Sequence, residues 1–181
     1  MELKETTVSS QTTYKCKVFT VTKDTVQLPN GDLAPRDRVL HNGGSGVLPI
    51  TPDGEIILVE QYRYGVGKVL IEIPAGKLEA GEDPLECAKR ELREEVGAIA
   101  DEIIELGQLA VSPAYDSEII YIYLAKCTHF AEQKLDDDEF LRVHRYSFED
   151  ALGKVLHGEI TDAKTQIAIL KANDIINNSR I

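Results

Sequence analysis

Between Asp83 and Gly97 the chain carries a helix whose two ends and buried face can all be read from the residues. Asp83 is a capping residue, Pro84 suits the first turn, and Glu86 completes a capping-box-like arrangement. Gly97 can end the helix in a left-handed conformation. Leu85, Ala88, Leu92 and Val96 recur at spacings of three and four, so one face must seal onto a sheet. Sheet material lies on both sides of this helix. Gly46 to Thr51 and Glu55 to Tyr62 read as strands joined at Pro52-Asp53-Gly54, and Val69 to Ile73 as a short apolar strand leading into a glycine-bearing loop, Pro74-Ala75-Gly76. Ile104 to Val111, Glu118 to Ala125 and Phe140 to Tyr146 supply further strands. Two more helices are predicted, from Phe148 to Leu156 between a Ser147 cap and a Gly158 stop, and from Ala163 to about Ile176. Strands interleaved with helices on a mixed sheet predict an α/β sandwich.

The first forty residues read differently. Thr13 to Leu28 is rich in Val, Thr, Phe and Tyr, Pro29-Asn30-Gly31-Asp32 supplies a turn, and Arg36 to Leu40 is extended again. His41-Asn42-Gly43-Gly44 then breaks the pattern. The expected division is a small antiparallel β-sheet over residues 1–42 and a larger domain over 43–181. A length of 181 residues with 43% hydrophobic content fits one core domain plus a short appendage.

Charge narrows the partners. A formal net charge of −11 argues against nonspecific binding to nucleic acid or anionic lipid, where Lys and Arg must neutralise phosphate. No apolar run reaches the length of a membrane span, and Met-Glu-Leu-Lys-Glu-Thr-Thr lacks the layout of a secretion signal, so a cytoplasmic protein is expected. Cys16, Cys87 and Cys127 are odd in number and lack zinc or disulfide spacing; they read as small, partly buried thiols. His41, His129, His144 and His157 show no metal-ligand spacing either.

On the predicted helix, Glu91 and Glu95 stand four residues apart on neighbouring turns, with Glu94 beside them. Like charges at that spacing cost roughly 0.2–0.5 kcal/mol per pair, a penalty that a bound divalent cation reverses. A lone Glu-Glu pair reads as a solvated helix face. This pair is not alone. Gly76, Glu82, Arg90-Glu91-Leu92, Glu94-Glu95 and Gly97 stand at fixed spacings with apolar Ala98 after them. Apart from the apolar Leu92, these seven fixed residue types would coincide by chance at about one position in 10⁸ at ordinary usage. Gly76 permits a tight turn that brings the Ala75 carbonyl toward a metal, and Arg90 can pair with Glu82 or Glu94 and fix its direction.

That pattern resembles the signature of the Nudix hydrolases. Beyond it, Gln61-Tyr62-Arg63, the segment Glu72 to Lys77, Ser112-Pro113 and Asp137-Asp138-Glu139 resemble the ADP-ribose pyrophosphatases of that family, although Ala114 stands where a glycine commonly follows the proline. The resemblance implies a Nudix α/β/α sandwich with a mixed sheet, preceded by the N-terminal sheet. It implies Mg²⁺ (or Mn²⁺) held by Glu91, Glu95, Glu139 and the Ala75 carbonyl, with Arg90 fixing the carboxylates. The acidic run Asp136-Asp137-Asp138-Glu139 would otherwise read as a solvated turn. By similarity Asp137 orients or deprotonates the attacking water, with Glu94 as a rival base. Arg36, Arg63, Lys77 and Glu118 are implied to contact substrate, the alternative for the two arginines being surface ion pairs.

The implied reaction is hydrolysis of ADP-ribose to AMP and ribose 5-phosphate. Cleavage of another nucleoside diphosphate derivative, a sugar nucleotide or a dinucleotide, is an alternative on the same site, and a catalytically silent nucleotide sensor is a further one that the intact glutamate set disfavours. A homodimer is expected, because the short N-terminal sheet cannot bury a core alone and similar enzymes pair through this region.

Overall fold

Ten strands and three helices follow one another in the computed structural model, which describes residues 2–135, 137 and 139–178. They are β1 (Thr6–Lys15), β2 (Phe19–Gln27), β3 (Leu33–His41), β4 (Gly44–Ile50), β5 (Glu55–Arg63), β6 (Lys68–Glu72), β7 (Ala75–Lys77), α1 (Pro84–Val96), β8 (Ala98–Ala110), β9 (Ile119–Phe130), β10 (Leu141–Ser147), α2 (Phe148–Leu156) and α3 (Ala163–Asn177). The chain forms two compact units: one takes in the chain up to Gly43 together with Ala110–Ile119, the other Gly44–Leu109 and the chain from Ile120 onward. No described helix is long and apolar enough to cross a membrane.

In the first unit, β1, β2 and β3 make an antiparallel sheet in that order. The stretch expected as one strand from Thr13 is two, because the chain reverses at Cys16, whose N–H donates to the Phe19 carbonyl at 3.0 Å. That turn contains no Gly, Pro or Asn. The segment from Ser112 to Glu118 runs beside β3: Val39 N–H donates to the Tyr115 carbonyl at 2.7 Å, and Ser117 N–H returns to the Val39 carbonyl at 3.0 Å.

The second unit is built on a mixed seven-stranded sheet with the path β10-β5-β4-β9-β8, where β6 also pairs with β5 and β7 with β4. The pairing of β4 with β9 is parallel, and that of β5 with β10 antiparallel. Successive residues of the central strands point to opposite faces, as the pleat requires. Val47, Ile57, Val59, Tyr123 and Ala125 pack with Ala88, Leu92 and Val96 of α1. Their neighbours Leu48, Ile56, Leu58, Ile122 and Leu124 pack with Ala151 and Val155 of α2 and Ala168, Ile169 and Ala172 of α3. Two apolar layers on one sheet make the α/β/α sandwich, and they explain why the central strands are apolar at nearly every position.

Two local readings change. Ala75–Lys77, expected as a loop, is the short strand β7, antiparallel to Gly44–Gly46 of β4. Asp83 caps α1 as expected, accepting from the N–H groups of Leu85 and Glu86 at 2.9 and 3.2 Å, but the Glu86 carboxylate accepts from Lys89.

Candidate active site

The buried stripe of α1 is wider than its apolar residues. Glu91 and Glu95 lie on it and are 7% and 2% exposed, with Glu94 on the partly exposed flank. Opposite them runs β7, and here Gly76 has a different use from the tight turn expected of it. Its φ is not positive; instead, a β-carbon at this position would overlap the Glu91 carboxylate. Glycine is what lets α1 seat a carboxylate against the strand. One residue earlier, Ala75 N–H donates to Glu95 Oε2 at 3.1 Å, so the strand also orients the second carboxylate.

Arg90 ties the group together. Its Nε and Nη2 reach the two Glu82 oxygens at 3.0 and 3.2 Å, and its Nη1 reaches Glu91 Oε1 at 2.7 Å and Glu94 Oε2 at 3.1 Å. Both pairings expected for Arg90 are present at once, with Glu91 added. The Arg90 hydrogen bonds hold the Glu82 carboxyl below its ordinary range. One guanidinium cannot offset four carboxylates, however. Burial raises Glu91, with Glu94 and Glu139 adding repulsion against the attraction of Arg90. Burial and the neighbouring charge of Glu91 push Glu95 up to about 8, and Glu139 contributes there as well. Glu139 therefore lies close enough for its charge to act on both. Cys87, beneath Arg90, is a buried thiol pushed up to about 12 by desolvation, and such a thiol is inert.

The end of α1 is also the anchor of the segment that leads to the acidic loop. Lys134 N–H donates to the Glu94 carbonyl at 3.0 Å, Ala131 N–H to the Gly97 carbonyl at 2.7 Å, and the Gln133 side chain to the Glu95 carbonyl. Carbonyls that a helix C-terminus leaves without partners are thus satisfied by this segment. Asp137 is exposed in a turn and Glu139 is half-buried, while Asp136 and Asp138 lie outside the described residues.

The donor set is all oxygen and strongly anionic, which suits a hard divalent cation better than any softer metal. Two buried carboxylates short of positive charge, one of them seated in the room that glycine leaves at position 76, are the feature such an ion fits. The carboxylates are not yet converged: among the described residues no three acidic, His or Cys side chains stand ready to hold a metal, since Glu91 faces Arg90 and Glu95 faces Ala75.

The other expected site residues are distributed between the units. Arg63, at the end of β5, grips Glu72 of β6 with Nε and Nη2, both at 2.7 Å. Lys77 is exposed on β7, and its carbonyl accepts from Arg90 at 3.4 Å. In the first unit Arg36 forms an exposed ion pair with Glu5, and the Glu118 carboxylate stands 3.4 Å from His41 Nδ1. Sequence reasoning missed the docking of Gln133 and the cluster of Glu72, Lys164 and Asp162 behind Arg63. For Lys164 a signal existed, since it falls four residues before Ala168 on the buried stripe of α3.

The family model for the NUDIX domain matches residues 40–166, and one described as the nucleoside diphosphate sugar hydrolase N-terminal domain matches residues 5–39. The chain is 40% identical over 169 residues to an ADP-ribose pyrophosphatase of Bacillus subtilis (strain 168), covering 92% of this chain and 91% of that one. It is 40% identical over 167 residues to a methanol dehydrogenase activator of Bacillus methanolicus, covering 91% and 90%. A crystal structure of ADP compounds hydrolase superposes with a TM-score of 0.83 over 98% of this chain and 97% of its own, at 24% identity, and shows the same fold.

Proposed function

The chain belongs to the Nudix family, and from that premise we propose that it hydrolyses the pyrophosphate bond of ADP-ribose to AMP and ribose 5-phosphate with Mg²⁺ as its metal. The observation that carries this reading is the pair of buried carboxylates, Glu91 and Glu95, seated against Gly76 and Ala75 and short of positive charge. Glu91, Glu95, Glu139 and the Ala75 carbonyl are the ligands for the divalent ion. Bound there, the ion supplies positive charge to the diphosphate and to the attacking water.

The chain's own groups do the rest. Arg90 keeps Glu82, Glu91 and Glu94 in one arrangement, so little reorganisation is needed at the moment of reaction. Arg63 takes a phosphate, and Lys77, exposed on the adjoining β7, meets another part of the substrate. The proton of the water passes to a carboxylate, either Glu94 at the Arg90 latch or Asp137 in the acidic turn. Arg36 and Glu118 serve the far end of the substrate. Pairing of two chains through the N-terminal sheet completes the site, and Arg36 acts across that interface. The free cysteines, two of them buried, fit a reducing compartment such as the cytoplasm.

Product analysis over a panel of nucleoside diphosphates with Mg²⁺ tests the reading. ADP-ribose is expected to give a higher kcat/KM than NADH, ADP-glucose or diadenosine polyphosphates, because polar groups built for a terminal ribose are left unpaired by another end group. A rival turned over at least as efficiently overturns the ADP-ribose assignment and leaves the family assignment standing. The same panel answers the activator name of the Bacillus methanolicus relative, since a protein that only activates a partner gives no products.

A further inference from the structure

Behind Arg63 lies a cluster of ionised groups outside the Nudix signature. Glu72 is 1% exposed, and Lys164 of α3 is nearly as buried, with its ammonium bonded to Glu72 Oε2 and, at 3.0 Å, to Asp162 Oδ1. Burial by itself would raise the Glu72 carboxyl, but the hydrogen bonds from Arg63 and the charge of Lys164 outweigh it and keep the group ionised. Stability alone does not account for such a cluster, because buried ion pairs are commonly no more stabilising than apolar side chains packed in the same volume.

Its geometry explains it better. The Glu72 carboxylate receives Arg63 through a two-pronged contact that fixes the plane of the guanidinium. Lys164 holds the other side of that carboxylate from a different element. The first turn of α3 is itself tied down: Asp162 Oδ2 accepts from Thr165 N–H at 2.9 Å, and Thr165 Oγ1 accepts from Ile73 N–H at 2.8 Å, next to Glu72 in the chain. The outer edge of Arg63, with Nη1, is not used by Glu72, and 40% of the side chain is exposed. Arg63 and Glu95 are near enough that each charge stabilises the other. Without Lys164 the full charge of Glu72 would rest on Arg63 and oppose an approaching diphosphate.

We propose that Lys164 is a positioning residue, which holds Glu72 and offsets its charge so that Arg63 presents its outer edge to a phosphate of the substrate. This rests on the hydrolase reading above. Lys164 touches no substrate; it acts through Glu72 and Arg63.

A double-mutant cycle on the whole protein tests it. With ADP-ribose and Mg²⁺, well below the thermal midpoint, Lys164→Met is expected to raise KM roughly tenfold or more while kcat changes less than about threefold. In an Arg63→Ala background the same change adds less than about twofold, because the group through which Lys164 acts is already gone. Lys164→Arg, which keeps the charge, restores part of the loss. Equal losses in the two backgrounds overturn the proposal, since they mean that Lys164 acts through the fold at large. Should Lys164→Met not fold, Lys164→Gln takes its place in the cycle, and additivity with Arg63→Ala overturns the proposal in the same way. A parallel cycle on the affinity for inorganic pyrophosphate with Mg²⁺, by calorimetry, needs no turnover. A protein that cleaves no ADP-ribose but shows the coupling in this arm loses the substrate reading and keeps the role of Lys164.

Discussion

Because burial and the charge of Glu91 push the Glu95 carboxyl up to about 8, this residue ties the proposed chemistry to the stability of the metal-free protein. An unfolded glutamate titrates near 4.3. The raised value means that the fold favours the protonated form: the stability it contributes is complete below about pH 4 and is lost as pH rises through about 8. The metal-free protein should therefore lose stability between pH 5 and pH 8.5, and Glu95→Gln should flatten that slope. Urea midpoints in chelator at the two pH values measure it, and an unchanged slope in the variant contradicts the assignment. The same substitution should lower kcat by roughly a hundredfold or more, since it keeps the size of the side chain and removes an anionic ligand. Near-normal turnover would remove Glu95 from the metal site. Glu91 and Glu95 were legible in the sequence from their spacing on a helix; their burial was not, because it depends on Gly76 leaving room opposite.

At the scale of elements, α1 is the part that local chemistry specifies most fully, and its C-terminus is where local and long-range demands meet. Gly97 has φ 69°, and a β-carbon there would overlap the Ala131 carbonyl oxygen. Gly97→Ala must therefore strain the backbone and push away the segment that carries Gln133 toward Glu139. The expected cost is about 1–2 kcal/mol of stability from the left-handed conformation alone. A fall in kcat of several-fold, measured below the new midpoint, is expected with it. A variant that loses stability but keeps full kcat would show that the docking of residues 131–134 does not position the acidic loop. Residues without local markers were harder to read. The reversal between β1 and β2 at Cys16-Lys17-Val18 has none of the usual turn residues, and the three residues of β7 are too short to show a period. Their hydrogen-bond partners, β2 and β4, decide them.

For the whole molecule, the first unit supplies the reason to expect a second copy. All ten residues of β1 are exposed, so both faces of that strand stand open, Val8 and Tyr14 included. A three-stranded sheet in this condition gains by pairing. Light scattering at micromolar concentration should give twice the 20.1 kDa of one chain. Replacing Val8 and Tyr14 by Asp should shift the mass toward one chain and lower activity together; a monomer with full activity refutes the role given to the sheet. What the amino-acid sequence by itself determined is the set of features governed by near neighbours: the caps and buried stripe of α1, the glutamate spacing, the apolar strands and the α/β class. These follow from helix and strand periods that act over a few residues. Tertiary structure alone decided the features joining distant residues. Gly76 makes room for Glu91, Gln133 closes the end of α1, and Lys164 reaches Glu72 across 92 positions of the chain. A buried charge finds its partner only when the sheet and its two helical layers have closed, and no short-range pattern encodes which residue that will be.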